Sequence, residues 1–291
     1  MPASALATVP SAPQVLDREA ERIVRDLELP PCPQVLLRFG AEMRRDEPDL
    51  HVLSDLILTD PGLASAMLRT VNAPFFGLAR KATSVQHALA VLGLRAAGQL
   101  ISGFLVRRAF PQGDGSRLKD FWRDAARIAQ TALFVAARLR RFDREEAHTY
   151  ALFRDCGVAV LTQRFPDYVA PPHDCDGEAG LRHLAVEEER YGASHARVGR
   201  ALAVSWHLPA TLSDAILVHH DLRLARMGGA VATQSRRLVA FGLLADQLVS
   251  LRSGQGVRAD WPEMEEYALE ALSLTPDQLL GLAEAMEPLE D

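Results

Sequence analysis

The sequence predicts an all-α protein built from a series of amphipathic helices. Apolar residues recur at helical spacing along most of the chain, helix-start signals are frequent, and the alternation typical of strands is almost absent. The 291 residues are 48% hydrophobic and 24% charged. This length and composition suit one large domain or two smaller ones with a sizeable core.

Individual helices are marked by apolar stripes and by capping residues. Residues 61–72 and 121–139 each place their apolar side chains on one helical face. Asp60 before Pro61 is a capping carboxylate followed by a first-turn proline. Thr275-Pro276-Asp277-Gln278 combines a cap, a proline and a reciprocal glutamine, which predicts a capping box. Pro209 is expected to open a further helix.

Turn-rich segments divide the chain at residues 111–116, 170–177 and 227–229. We place a boundary between two helical units at the first of them. The predicted organisation is a flexible tail over residues 1–16, an N-terminal helical unit over 17–110, a second helical unit over 116–225, and C-terminal helices over 230–291 that pack on the second unit.

Charge and cysteine content exclude several functions. The net charge of −6 and the pI of about 5.9 argue against binding along a nucleic-acid backbone. The three cysteines form neither a CxxC motif nor an even framework, which is typical of a reduced compartment. The N-terminus lacks a basic signal-peptide region, and no apolar run approaches the ~20 residues of a membrane span. We therefore predict a cytoplasmic protein that does not span a membrane.

Histidines near the second half of the chain are the candidate functional residues. His195 lies in the stretch Ser194-His195-Ala196-Arg197-Val198-Gly199-Arg200-Ala201-Leu202, and His219 and His220 close a predicted helix that includes Ala215-Ile216-Leu217-Val218. Adjacent side chains on a helix diverge by about 100°, so we expect only one of His219 and His220 to point into a given site. The alternative for the pair is a polar helix C-terminus, where an imidazolium suits the helix dipole.

A set of ordered motifs covering about residues 27–222 resembles the HDOD domain family. The motifs are Leu29-Pro30-Pro31-Cys32-Pro33, Leu58-Thr59-Asp60-Pro61-Gly62, Val71-Asn72-Ala73-Pro74-Phe75-Phe76-Gly77, Thr83-Ser84-Val85-Gln86-His87, Phe121-Trp122, Tyr191-Gly192-Ala193-Ser194-His195, Trp206-His207-Leu208-Pro209 and His219-His220. The resemblance implies an all-α bacterial signalling protein related to the HD superfamily and to the HD-GYP phosphodiesterases. Residues 116–225 would then form an HD-like unit.

The HD-GYP pattern transfers to this sequence only in part. Its His-Asp doublet falls on Arg154-Asp155, an earlier ligand histidine falls at or near Asp124, and later histidines fall on His195 and on His219-His220. No Tyr-Pro follows this pair where the Gly-Tyr-Pro signature belongs. The resemblance therefore implies a degenerate site.

Arg154 decides the interpretation of that site. An arginine is always protonated and cannot coordinate a cation. We expect Arg154 to replace the metal as a structural ion pair with Asp155 or Asp124, so that the protein holds no metal and needs no cofactor. The alternatives are a solvent-facing Arg154, a surface Asp124 paired with a neighbouring arginine, or an active enzyme with an unusual ligand set.

The sequence thus predicts a non-catalytic pseudo-enzyme that signals by binding a protein partner, with a nucleotide as a further candidate ligand. The alternatives are a divergent metal-dependent phosphohydrolase and a nucleotide sensor without hydrolysis. A groove between the two helical units is the expected binding place. The candidate groove residues are Asn72, Phe75, Phe76, Arg80 and Lys81.

Overall fold

The computed structural model describes residues 12–73, 78, 81–110, 116–139, 142–172, 175–226 and 231–286. Within these ranges the chain forms sixteen α-helices and no strand, which confirms the predicted fold class. The helices are α1 Ala12–Asp26, α2 Gln34–Met43, α3 Leu50–Leu58, α4 Pro61–Val71, α5 Val85–Leu92, α6 Leu94–Ala109, α7 Ser116–Leu139, α8 Arg144–Phe153, α9 Cys156–Arg164, α10 Gly177–Tyr191, α11 His195–Ser205, α12 Ala210–Val218, α13 Leu222–Arg226, α14 Thr233–Arg252, α15 Trp261–Leu272 and α16 Pro276–Glu284.

The predicted helix starts are confirmed by side-chain caps. The Asp60 carboxylate accepts hydrogen bonds from the backbone N–H groups of Gly62 and Leu63, directly before Pro61. Thr275 and Gln278 form the predicted capping box at the start of α16. Pro209 is the residue from which α12 begins. Local sequence therefore sets these boundaries.

The buried apolar residues form two clusters. The smaller cluster joins α2 through α6 around Phe39, Leu53, Met67 and Ile101. The larger cluster joins the helices from α7 to the C-terminus. It also includes Ala20 and Ile23 of α1.

Helix α1 packs on α11, which lies in the second predicted unit. The segment after α1 also contacts the second predicted unit, because Trp206 Nε1 donates a hydrogen bond to the Pro30 carbonyl at 3.0 Å. The first predicted unit therefore begins with a helix that belongs to the larger core. The predicted division of the chain itself stays a prediction. Residues 1–11 of the predicted tail (1–16) and residues 111–115 of the linker lie outside the described residues, whereas residues 12–16 belong to α1.

Several helices of the larger core meet where the candidate site lies. Helix α7 pairs with α8, and α14 packs against α7, α8 and α12. Helices α9 and α11 cross so closely that a Cβ atom at Gly157 would stand 2.0 Å from the His195 carbonyl oxygen. Only glycine permits this approach. This close approach of α9 and α11 brings His195 beside the end of α8.

No single helix in the described ranges combines the length and the apolar character that crossing a membrane requires. The helix pair Val85–Leu92 and Leu94–Leu105 meets that criterion only when its two sharply bent halves are counted together.

Candidate metal centre

Four side chains from three places in the chain converge on one point. Asp155, His195, His219 and His220 each offer one ligand atom, and these atoms lie within 4.8 Å of one another. His195 Nε2 lies 3.4 Å from His219 Nε2 and 3.0 Å from His220 Nε2. Asp155 Oδ1 lies 3.1 Å from His219 Nε2 and 3.9 Å from His195 Nε2. Ligand atoms held at about 2.0–2.1 Å from a tetrahedral ion would be separated by similar distances.

Each of the three imidazoles has an acceptor beside its other nitrogen. His195 Nδ1 lies 2.7 Å from Glu187 Oε2, and His219 Nδ1 lies 2.7 Å from the Ile216 carbonyl oxygen. His220 Nδ1 lies 2.7 Å from Asp176 Oδ1, which makes this an ion-pair contact and not a hydrogen bond. Carboxylates and carbonyls at these positions place the proton on Nδ1. All three Nε2 lone pairs then face the centre of the cluster.

This arrangement of lone pairs needs a positive charge at its centre. Three imidazole lone pairs and one carboxylate oxygen repel one another when no proton or cation lies between them. His195 and His219 are almost fully buried, so water cannot screen the repulsion well. The donor set therefore fits a divalent transition-metal ion, for which imidazole and carboxylate are ordinary ligands.

The protonation states of two of the four side chains, His220 and Asp155, agree with metal ligation. Burial, together with the neighbouring His219, lowers the pKa of His220 to about 4, which leaves the ring neutral at pH 7. Burial alone would raise the pKa of Asp155, but the Arg154 guanidinium and the contact with His219 outweigh it and hold that pKa well below its usual value. Both groups are thus in the form that a metal requires.

Arg154 lies on the far side of Asp155 from the histidines. Its Nε and Nη2 atoms donate to Asp155 Oδ2 at 3.0 Å, and its Nη1 donates to Asp246 Oδ2 at 2.5 Å. Arg154 is buried, so the solvent-facing alternative is wrong, and its pairing with Asp155 is as predicted. The two carboxylate oxygens of Asp155 therefore have separate roles: Oδ2 accepts from the arginine and Oδ1 faces the imidazoles.

A second buried arginine extends the network. Arg258 pairs with Asp246 at 3.0 Å, with Asp176 at 2.8 Å and with Asp260 at 2.7 Å. Because Asp176 also contacts His220, the network links the C-terminal helices to the cluster. Burial would raise the pKa of Asp176, yet His220 and Arg258 hold it well below its usual value.

In the described part of the chain, the contacts around the cluster join more acids than bases. Five carboxylates face two guanidinium groups. Burial raises the pKa of Asp260, but even without Asp260 four carboxylates remain against two arginines. A partly buried excess of negative charge is costly, and a divalent cation would neutralise it.

A cavity of about 280 Å³ adjoins the cluster, and we call it the polar cavity because several carboxylates and Arg154 lie in its wall, although apolar atoms form most of that wall. Its walls include Asp155, Asp176 and His220 from the network, together with Asp124 and Phe121 of α7. The cluster is therefore buried on the His195 side and borders a solvent-accessible space on the Asp155 side.

The structure corrects one expectation about the histidine pair. The sequence predicted that only one of His219 and His220 points into the site, yet both Nε2 atoms belong to the cluster. Helix α12 ends at Val218, so His220 lies in the turn that follows and the 100° rule of a continuous helix does not apply. The ring centroids of the pair lie only 4.0 Å apart.

Two other expectations about the site are revised. Asp124 is not in the group of four; it lies at the cavity wall, with Arg123 Nε at 3.3 Å and Arg127 Nη1 at 4.0 Å, as the surface-carboxylate alternative proposed. The prediction that Arg154 excludes a metal assumed that its guanidinium would enter the ligand cluster. Its partners instead lie at Asp155 Oδ2 and Asp246, which leaves the four-ligand centre intact.

The predicted groove residues are only partly described. Asn72 acts locally: its side-chain amide donates to the Ala82 carbonyl at 2.9 Å and accepts from the Ala82 N–H at 2.7 Å, which closes the loop after α4. Lys81 is exposed. Phe75, Phe76 and Arg80 lie outside the described residues, so their predicted role in a groove stays a prediction.

Sequence reasoning missed Glu187, Asp176, Asp246 and Arg258. Glu187 lies in a run of three glutamates that resembles a solvated helix face, yet Tyr168, His183 and His195 all contact it. Asp246 had a usable signal, since it is an acid inside the apolar stretch Phe241-Gly242-Leu243-Leu244-Ala245-Asp246-Gln247-Leu248. Buried acids in such stretches are rarely unpaired.

The fold and the site define an all-helical protein with a buried histidine–aspartate cluster at the centre of its larger core. Residues 29–222 match the HDOD domain family, and the chain belongs to that family. The motifs that suggested the family from sequence are thereby confirmed.

Solved structures show the same fold. The chain superposes on a candidate phosphohydrolase from Shewanella amazonensis SB2B with a TM-score of 0.66 and 21% identity, over 90% of this chain and 91% of that one. An HDOD domain protein of unknown function from Geobacter sulfurreducens gives a TM-score of 0.60 and 19% identity, over 93% and 97%. A candidate signal transduction protein from Marinobacter aquaeolei VT8 gives a TM-score of 0.60 and 23% identity, over 93% and 64%.

An uncharacterized protein of Treponema pallidum (strain Nichols) is 25% identical over 196 residues. The match covers 67% of this chain and 38% of the length of that relative. The relative thus contains much sequence that has no counterpart in the match.

Proposed function

We propose that this HDOD protein is a non-catalytic cytoplasmic signalling protein whose HD-like unit is held together by a divalent transition-metal ion, and that it acts by binding a protein partner. Asp155, His195, His219 and His220 would hold the ion. A bound ion would supply fixed positive charge where α8 and α12 end and α11 begins. The likeness to a candidate signal transduction protein agrees with a regulatory role.

The observation that carries the proposal is the set of four protein donors. Structural zinc sites surround the ion with four protein ligands, whereas catalytic zinc sites keep one position open for water. Here three Nε2 atoms and one carboxylate oxygen already form a complete set.

The surrounding groups serve to hold the ligands in place. Glu187 orients His195, the Ile216 carbonyl orients His219, and Asp176 lies beside His220. Arg154 binds the outer oxygen of Asp155 and joins it to Asp246 on α14. The arginine that replaces the doublet histidine therefore positions a ligand in place of coordinating the ion itself.

A metal-dependent phosphohydrolase is the second candidate. The polar cavity beside Asp155 and His220 favours it, because a phosphate ester bound there would lie next to the ion. Two solved neighbours are described as candidate phosphohydrolases, although their likeness to this chain shows the fold alone.

Elemental analysis together with a hydrolysis assay separates the two candidates. We expect the purified protein to contain about one equivalent of a transition metal, and the variants His195→Ala and Asp155→Ala to lose it. The control His87→Ala changes an exposed histidine and should keep the metal. The metal-loaded protein should not hydrolyse bis(p-nitrophenyl) phosphate or cyclic di-GMP.

Three outcomes would contradict the proposal or a part of it. Hydrolysis that is present in the wild type and lost in His195→Ala would establish the phosphohydrolase. A wild-type protein that contains no metal after growth and reconstitution with zinc, manganese or iron would remove the metal centre. A melting temperature that rises on addition of a nucleotide but not on addition of the metal alone would instead favour a nucleotide sensor without hydrolysis.

A further inference from the structure

A second cavity lies on the opposite side of α7 from the metal-site cavity. It has a volume of about 480 Å³ and is lined mainly by apolar side chains from both clusters. Helices α4 and α6 form one wall, and α7 and α8 form the other. Representative lining residues are Thr70, Leu100, Phe104, Trp122, Leu133 and His148. The volume is in the range of about 300–1,000 Å³ that small-molecule sites occupy.

Two buried polar atoms in this wall have no hydrogen-bond partner among the residues that the structure describes. Trp122 is 2% exposed, and its Nε1 donor is unpaired. His148 also lines the cavity, and its Nδ1 atom is unpaired. Buried polar groups in native proteins are nearly always satisfied, so each of these atoms lacks a group that a ligand or an ordered water would supply.

The described lining contains no charged side chain. Burial lowers the pKa of His148 to about 4, so this imidazole is neutral at pH 7 as well. A charged ligand would lose its hydration without gaining a counter-charge, which is strongly unfavourable. The described walls therefore favour a neutral ligand over an ion.

The geometry points to a binding site for a neutral, largely apolar small molecule that carries a carbonyl or hydroxyl oxygen. The apolar walls bury its carbon skeleton. An indole N–H can only donate, so the ligand must present an acceptor to Trp122. His148 offers a second polar contact in the same wall.

Matched probes test each part of this inference. Benzylacetone and butylbenzene share one carbon skeleton and differ by a carbonyl oxygen, and hydrocinnamate is of similar size but carries a charge. We expect titration calorimetry on the full chain to show benzylacetone binding at least five-fold more tightly than butylbenzene, and no binding of hydrocinnamate. This preference corresponds to about one net hydrogen bond.

Two variants place the binding in this cavity. Trp122→Phe keeps an aromatic ring but removes the donor, so it should abolish the preference for benzylacetone while the affinity for butylbenzene changes less than two-fold. Ala66→Leu fills the α4 wall and should weaken both neutral probes at least ten-fold. Ser65→Leu places the same side chain at an exposed position of α4 and should leave both affinities unchanged.

The inference is overturned if neither neutral probe binds at millimolar concentration, if hydrocinnamate binds best, or if Trp122→Phe retains the full preference for the ketone. Equal binding to wild type and Ala66→Leu would place the probes elsewhere and would overturn it too. Should Ala66→Leu fail to fold by circular dichroism, Ala96→Leu on α6 fills the opposite wall. None of these outcomes depends on whether the protein contains a metal ion.

Discussion

Helix α7 separates two cavities that differ in whether charged side chains lie in their described walls. On one side, Phe121 and Asp124 border the polar space beside the histidine–aspartate cluster. On the other, Trp122 and Leu133 border the apolar space between the two cores. On the polar side the contacts join more carboxylates than guanidinium groups, whereas on the apolar side the indole donor of Trp122 has no partner among the described residues. Each side is thus incomplete in a way that identifies the chemistry of what would bind there.

The two sides also differ in how strongly the fold depends on them. The polar side is held by buried ion pairs between distant parts of the chain, of which Arg154 and Asp246 are 92 residues apart. The apolar side is held by nonspecific packing. Substitutions should therefore be far more damaging on the polar side.

Arg154→Ala should have the largest effect. It leaves Asp155 and Asp246 without their shared guanidinium, and removal of one partner from a buried pair lowers the free energy of unfolding by about 3–5 kcal/mol. Urea denaturation measures the change. Arg123→Ala removes an exposed arginine from α7 and should cost less than about 1 kcal/mol. Equal effects from the two variants would refute the structural role of Arg154.

Gly157→Ala should destabilise the protein by about 3 kcal/mol, the upper end of overpacking effects. The added methyl group meets the His195 carbonyl oxygen at 2.0 Å and the Gly199 nitrogen at 2.8 Å, and both are backbone atoms. Separation of α9 from α11 would also move His195, so metal content should fall with stability. A stable variant with full metal content would show that the crossing of these helices does not position the ligand.

Glu187→Gln should act mainly on metal affinity. The substitution removes the charge that orients His195, and loss of such a partner lowers metal affinity about 10–100-fold. Competition with a chelator of known affinity measures it. Glu189→Gln, at an exposed position two residues along α10, is the matched control and should not change the affinity.

Gly103→Ala should have the smallest effect and tests the apolar side. Its Cβ would meet only the tip of the flexible Leu152 side chain, at 2.6 Å, and alanine favours the helix. We expect a change within about 0.5 kcal/mol in the free energy of unfolding, with benzylacetone binding about two-fold weaker because the cavity is smaller. A loss of stability comparable to that of Gly157→Ala would mean that α6 and α8 pack as tightly at Gly103 as α9 and α11 do at Gly157.

The sequence predicted features that depend on residues close together in the chain, and it missed contacts between residues far apart in the chain. Capping residues such as Asp60 and Thr275 are recognisable within four residues, and ordered motifs identified the family and three cluster histidines. The residues adjacent to Arg154 in sequence do not determine where its side chain points. That direction depends on Asp246, which lies on α14. The meeting of His219 and His220 likewise depends on where α12 ends.

The bond between Arg154 and Asp246 makes the C-terminal helices part of the site, although they lie beyond the residues that match the family. A chain shortened to residue 222 would retain Arg154 and Asp155 but lose Asp246 and Arg258. The boundary that defines the HDOD domain by sequence is therefore not a boundary at which this protein can be cut. A domain that ends near residue 222 and keeps an arginine at position 154 would need other carboxylates to neutralise it.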